Sequence, residues 1–398
     1  MSRASCILTV EVQSWDGVEY PEVVYDSLIV NDYLDAKYPD NRLNPEDPYQ
    51  LAQDRMLLER YGGVIKMFYK IFFNFCEDKE SVEQTLEALD KFEVEVKKRK
   101  TPYLGGEKPM MIDFNVWPHL MRIPLIFYAF VPEVTLDADR YPSLTSWMNK
   151  MEELPVVKET NIEKDMEYVS RAHTGKVATV QHAVLSLRPQ NKDGAATQGH
   201  EIVNIHLQDK PEWFLEKITP LGKVPTIQLD DRIVFDSLIV NDYLDAMYPE
   251  TKLNPDDPYQ LARDRMLLEK YGKFSGAFHK VFFTFAGDKE ANENMFAALD
   301  EFELDIKKRG TPFLGGDKPM MVDFNTWPHI VILPLLAYSL NNPELELSPD
   351  RYPAVTSWIN KMEEVPAVQQ TKFDKDQYKQ FIETYKAKKV DYDVFIVE

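Results

Sequence analysis

The chain has 398 residues, of which 44% are hydrophobic and 28% charged, with only 15 glycines and 26 prolines. That is too long for one ordinary domain and too apolar for a disordered, collagen-like or mucin-like polymer. A formal net charge of −20 repels phosphate backbones and anionic lipid, so neither nucleic acid nor a membrane is an expected partner.

Two cysteines, Cys6 and Cys76, cannot make a disulfide framework in a chain of this size, which predicts a reducing compartment and a cytoplasmic location. The early run Ile7-Leu8-Thr9-Val10 is broken by Thr9 and Glu11, too soon for a signal peptide. No stretch reaches the roughly 18 apolar residues of a membrane helix.

In chain order, a short strand is expected over Ile7–Val12. From Pro48, the run Leu51, Met56, Leu57, Tyr61, Val64, Phe68 recurs near 3.6 residues, as does Leu86, Leu89, Phe92, Val96. Trp117-Pro118 and Pro124 interrupt an apolar stretch that predicts a kinked, buried helix. Leu144, Trp147, Met148, Met151 and Leu154 give a further amphipathic helix. These methionine and aromatic stripes read as core. Downstream, Glu201–Leu207 alternates like a strand. Val224–Leu229, Asp230-Asp231-Arg232 and Ile233–Phe235 read as a hairpin, and Asp236-Ser237 precedes a helix-patterned run through Leu244.

The chain says nearly the same thing twice. Val24–Ala36 recurs as Val234–Ala246, 210 residues later, and Asp113-Phe114-Asn115 recurs as Asp323-Phe324-Asn325. Pro124 matches Pro334; after one inserted residue, Pro132 matches Pro343 and Trp147 matches Trp358. A period this long predicts duplicated domains, because solenoid repeats run about 20–50 residues.

Taken together, Lys210-Pro211-Glu212-Trp213-Phe214, Pro220-Leu221-Gly222-Lys223-Val224-Pro225, Asp236-Ser237, Tyr243-Leu244-Asp245 and Tyr248-Pro249 resemble omega-class glutathione transferases. The resemblance covers about residues 200–390, and its helical half recurs over about 24–168. It implies an α+β, mostly helical protein: a thioredoxin-like α/β domain followed by an all-α transferase C-terminal domain, here duplicated. The implied division is a truncated thioredoxin-like remnant at 1–42, an all-helical domain at 43–170, a thioredoxin-like glutathione-binding domain at 171–254 and a second all-helical domain at 255–398.

By the same resemblance, Lys210, Val224, Asp236 and Ser237 match the family's glutathione-binding positions. A cis bond before Pro225 would let Val224 offer its backbone N–H and C=O to an extended peptide. Lys210 would face the glycyl carboxylate. Ser237, at a helix start, would meet the γ-glutamyl carboxylate, and Asp236 the ligand's amine. Alone, Asp236-Ser237 also reads as a plain N-cap; the Val224-Pro225 pair upstream favours ligand binding.

The pattern breaks at the nucleophile. The family places a cysteine followed by Pro and an aromatic at the start of the first thioredoxin helix, where the helix dipole lowers the thiol pKa. Here Val177 stands at that position, so no catalytic residue is assigned. Thr179 reads as a helix N-terminal contact. Cys76 is answered by Ala286 and reads as a small buried position, and Cys6 lacks the following Pro. The seven histidines, among them His119 and His329 at one repeated position, show no metal-binding spacing. Met110 and Met320 stand where the family caps a helix with Ser or Thr, an expected cost of about 1 kcal/mol per copy. The first copy keeps Asp26-Ser27 but no Val-Pro pair, so it is not expected to form a complete site.

The resemblance implies glutathione as co-substrate and a small electrophile or oxidant as second substrate, with glutathione-dependent thiol transfer or dehydroascorbate reduction. Three readings stay open. One is an enzyme that works through bound glutathione's own thiolate. Another is a non-catalytic glutathione-binding or scaffold protein, and a third is a gene model that has lost the exons for the first β-α units. A homodimer and internal pairing of the two copies are both open.

Overall fold

The structure, a computed structural model, describes residues 10–11, 23–74, 78–159, 203, 205, 210–219, 221–372 and 374–387. It divides into two compact units, Met1–Ala178 and Thr179–Glu398.

The first unit opens with β1 (Val10–Glu11) antiparallel to β2 (Val23–Val24), Val10 opposite Val24. Asp26 caps α1 (Ser27–Lys37). The helical block follows: α2 (Pro48–Asn74), α3 (Lys79–Arg99), α4 (Met111–Leu120), α5 (Ile123–Phe130), α6 (Pro142–Glu153) and α7 (Pro155–Glu159). Tyr61, Ile71, Leu89, Val116, Leu120, Ile123 and Phe127 are fully buried at its centre, so the aromatic and methionine stripes are indeed core.

Among its described residues, the second unit carries first a turn of π-helix over Phe214–Ile218. The hairpin β3 (Thr226–Leu229) and β4 (Arg232–Phe235) leads into α8 (Ser237–Met247). Its helical block is α9 (Pro258–Phe283), α10 (Lys289–Arg309), α11 (Met321–Leu340), α12 (Pro353–Glu363), α13 (Pro366–Gln369) and α14 (Lys375–Lys386). The helix α14 packs on α11, with Tyr378, Phe381, Ile382 and Tyr385 buried and Tyr385 edge-on to Phe282 at 5.3 Å. The strand expected over Glu201–Leu207 falls almost wholly outside the described residues.

Each helical block hangs on one buried carboxylate. Asp323 accepts from Leu314 N and Trp358 Nε1 through Oδ1, at 2.7 and 2.8 Å, and from Gly315 N and Met320 N through Oδ2, at 3.0 and 2.9 Å. Asp113 does the same with Leu104, Trp147, Gly105 and Met110. The methionine at the cap position supplies no side-chain acceptor, but the aspartate three residues on gathers four donors and closes the loop beneath it. In the same way α6 and α12, whose N-caps are tyrosines, are capped from α3 and α10: Glu303 accepts from Ala354 N and Val355 N, and Glu93 from Ser143 N and Leu144 N.

The kinked helix needs a correction. In the second unit both prolines, Pro328 and Pro334, lie inside one continuous α11, whereas in the first the equivalent stretch breaks into α4 and α5 at Met121-Arg122. Arg122 replaces the apolar Ile332 there. Its N–H bonds the His119 carbonyl and its guanidinium takes the Pro118 carbonyl, which closes a tighter turn at the prolines.

Candidate functional site

The second unit's hairpin fixes the loop before it. Thr226 pairs with Phe235 and Ile227 with Val234, and the Thr226 hydroxyl donates to the Lys223 carbonyl at 2.6 Å. The Val224–Pro225 peptide bond is cis. The Pro225 carbonyl accepts from Asp236 N at 3.2 Å, which brings the loop and the start of α8 side by side. Among the described residues, Val224 neither gives nor receives a main-chain hydrogen bond, although it is half-buried. Buried backbone groups are nearly always paired.

Asp236 turns the chain into α8 with φ 77° and ψ 132°. A non-glycine residue in that region costs of order 1–3 kcal/mol and persists only where its surroundings hold it. Asp236 is held from both sides, through its N–H to Pro225 and its carbonyl to Val240 N at 2.8 Å. The result is a helix that starts at Ser237, next to Val224. Ser237 is half-buried, and its hydroxyl has no bonded partner among the described residues. Lys210 reaches the same loop. A methyl group added at Gly222, where φ is 60°, would lie 2.8 Å from Lys210 Cδ and 2.9 Å from Leu215 Cδ2, so the lysine stem lies directly over the glycine. Lys210, Val224, Asp236 and Ser237 therefore converge on one loop and one helix start, and Val177 lies outside the described residues.

Two polar contacts lock α8 to the helical block: Asn241 donates to Asn325 at 2.7 Å and Arg265 pairs with Asp242 at 2.8 Å. Two more hold the connecting loop, Asn254 donating to Asp242 at 3.1 Å and its N–H to Asp245 at 3.2 Å. The buried Asn241 and Asp245 explain why this helix carries polar residues on its inner face.

One residue at the site was not read from the sequence. Lys223 Nζ donates to Asp236 Oδ2 at 3.0 Å, both side chains about four-fifths buried. Thirteen residues separate them, and only the hairpin brings them together, so no local spacing reveals the pair. The first unit differs at this point. Asp26 repeats the positive φ, 73°, but its Oδ1 accepts from both Leu28 N and Ile29 N, at 3.0 and 3.4 Å. Asp236 caps Leu238 N alone, at 3.3 Å. Val10 pairs with Val24 as Ile227 does with Val234.

Trp327 is buried and packs edge-on against Trp358 at 5.9 Å; it is core. Ala286 is a half-buried turn residue with φ 62° rather than a buried one, and Cys76 lies outside the described residues. Burial pushes His329 down to about 3 and His119 to about 4, so both are neutral core imidazoles. Among the described residues, no three His, Cys, Asp or Glu side chains are placed to hold a metal. No helix there is long and apolar enough to cross a membrane.

Comparison with known proteins identifies the family. The glutathione S-transferase N-terminal domain model matches residues 188–252, and the C-terminal domain model matches two separate stretches, 77–150 and 262–361. Among curated proteins, glutathione S-transferase omega-1 of Mus musculus is 37% identical over 196 residues, 47% of this chain and 75% of that protein. Pyrimidodiazepine synthase of Drosophila melanogaster is 31% identical over 198 residues, 49% of this chain and 79% of that protein. Human glutathione S-transferase omega-2 is 32% identical over 193 residues, 47% and 75% of the respective chains.

Proposed function

The chain belongs to the glutathione S-transferase family, with omega-class relatives, and from that premise we propose that its second unit binds glutathione at the loop and helix start around Val224 and Ser237. The observation that carries this reading is the main chain of half-buried Val224, without a hydrogen-bond partner among the described residues, set beside a helix start held open by the positive φ of Asp236. An extended tripeptide satisfies both. Its cysteinyl backbone pairs with Val224 as an added strand, and its γ-glutamyl carboxylate takes the Ser237 hydroxyl and the first N–H groups of α8. Lys210 attracts the glycyl carboxylate.

The reaction follows from what stands at the nucleophile's position. Val177 has no sulfur, so a protein–glutathione disulfide, and with it thiol transfer or dehydroascorbate reduction by that route, does not form there. The reactive sulfur is glutathione's own. The bound thiol loses its proton to solvent, the thiolate attacks an electrophilic carbon, a carbon–sulfur bond forms, and the leaving group departs with its electron pair. The helix dipole of α8 favours the anionic ligand. A second reading, a non-catalytic glutathione-binding or scaffold protein, draws on the same valine.

Retention of the full chain on immobilised glutathione, lost in Ser237→Ala, supports the binding site; no retention of the unaltered chain removes it. Turnover of an aryl halide with free glutathione, abolished by Ser237→Ala, separates the transferase from the scaffold.

A further inference from the structure

The Lys223–Asp236 pair changes what the site can recognise. A γ-glutamyl ligand carries an α-ammonium beside its α-carboxylate, and Asp236 is the carboxylate expected to meet that ammonium. In this chain Asp236 Oδ2 is already engaged by Lys223 Nζ at 3.0 Å, in a pair about four-fifths buried on both sides. Burial at this level weakens screening by water and keeps the lysine's charge felt at the site. A second cation brought to the same carboxylate meets the first one's repulsion.

The pairing also alters the helix start. In the first unit, Asp26 bonds two N–H groups of α1. In the second, the carboxylate divides itself between Lys223 and one N–H of α8, at a longer 3.3 Å. The side chain thus supplies less negative charge to the helix N-terminus, which favours an incoming carboxylate there.

We propose that Lys223 is a specificity-determining residue of this site: by neutralising Asp236 it removes the anchor for the ligand's α-ammonium and shifts recognition onto the ligand's carboxylates. The accepted class is accordingly broader than glutathione and includes γ-linked tripeptide thiols whose α-amino group is absent or acylated. This rests on the reading of the site as a glutathione site.

Calorimetric titration of the full chain with glutathione and with its des-amino analogue, glutaryl-cysteinyl-glycine, tests it. The unaltered chain binds the two within about threefold. Lys223→Met frees Asp236 for the ammonium, and glutathione then gains at least about tenfold over the analogue, the scale of a hydrogen bond to a charged group. Lys223→Gln keeps a neutral donor beside Asp236 and guards against misfolding of the Met variant; it too shifts the ratio toward glutathione. A ratio that already favours glutathione more than tenfold in the unaltered chain, and that neither variant moves, overturns the assignment to Lys223 alone. No heat from either ligand with any of the three proteins overturns the glutathione site together with it.

Discussion

Replacing Asp323 with asparagine tests the carboxylate on which the second helical block hangs. The side chain has two oxygens and four donors, two to each. An amide keeps one oxygen and points an NH₂ at the other pair, so two acceptor contacts become donor facing donor in a fully buried position. Burial raises the Asp323 carboxyl above its ordinary range, while the donors from Met320, Trp358, Leu314 and Gly315 pull it back; the four groups bonded to its oxygens are all N–H donors, the set a carboxylate accepts. Hydrogen bonds to charged groups contribute about 1.5–3 kcal/mol each, so the loss is about 3–6 kcal/mol. At a urea m-value near 2 kcal/mol per molar, the second unit's midpoint falls by about 1.5–3 M. Hydrogen exchange of peptides from α11 and α4, followed through a urea series, reads the two units separately. Asp323→Asn lowers protection in α11 and spares α4; Asp113→Asn does the reverse. A loss below about 1 kcal/mol, or one that falls equally on both units, would show that the second oxygen is not needed and would refute the reasoning.

Other predictions follow from single residues. His329 holds a folded value near 3 against 6.5 in the unfolded chain, so its stability contribution is present above pH 6.5 and is lost as pH falls toward 3. At pH 5 only the unfolded chain has taken the proton, about 1.5 units below its midpoint and about 2 kcal/mol of destabilisation. His329→Phe should remove that much of the difference between urea midpoints at pH 7.5 and pH 5, and an unchanged slope counts against a buried neutral imidazole. Ser237→Ala should weaken glutathione binding about tenfold to a hundredfold, whereas Ser27→Ala leaves the calorimetric Kd unchanged; equal effects from both would contradict a site in one unit only. Gly222→Ala places a methyl group against Lys210 and Leu215 and should raise the Kd for glutathione more than for an analogue lacking the glycyl carboxylate. Val177→Cys with Ala178→Pro should give a glutathione adduct on the intact chain by mass spectrometry, and the absence of one would show that position 177 is not the nucleophile's.

Much of this was legible because the sequence repeats itself. Helical periodicity predicted α2, α3 and α6, and the turn Asp230-Asp231 between apolar runs predicted the hairpin, since these signals are local. Lys210, Val224, Asp236 and Ser237 were named from resemblance, and the structure places all four around Gly222 and the start of α8. What escaped was set by non-local geometry. Nothing in Asp113 or Asp323 announces four donors, because those come from a loop and from a helix more than thirty residues away. The break between α4 and α5 hinges on Arg122 finding the Pro118 carbonyl, a competition that proline spacing alone does not decide. Lys223 reads as one more loop cation until the hairpin folds it onto Asp236.

The central claim is that one unit of this chain, and not the other, holds the tripeptide. Equilibrium dialysis of the purified full chain against labelled glutathione measures that directly. The account predicts one molecule bound per chain at saturation, with the half-saturating concentration raised about tenfold to a hundredfold in Ser237→Ala and unchanged in Ser27→Ala. A stoichiometry of zero or two for the unaltered chain would contradict it.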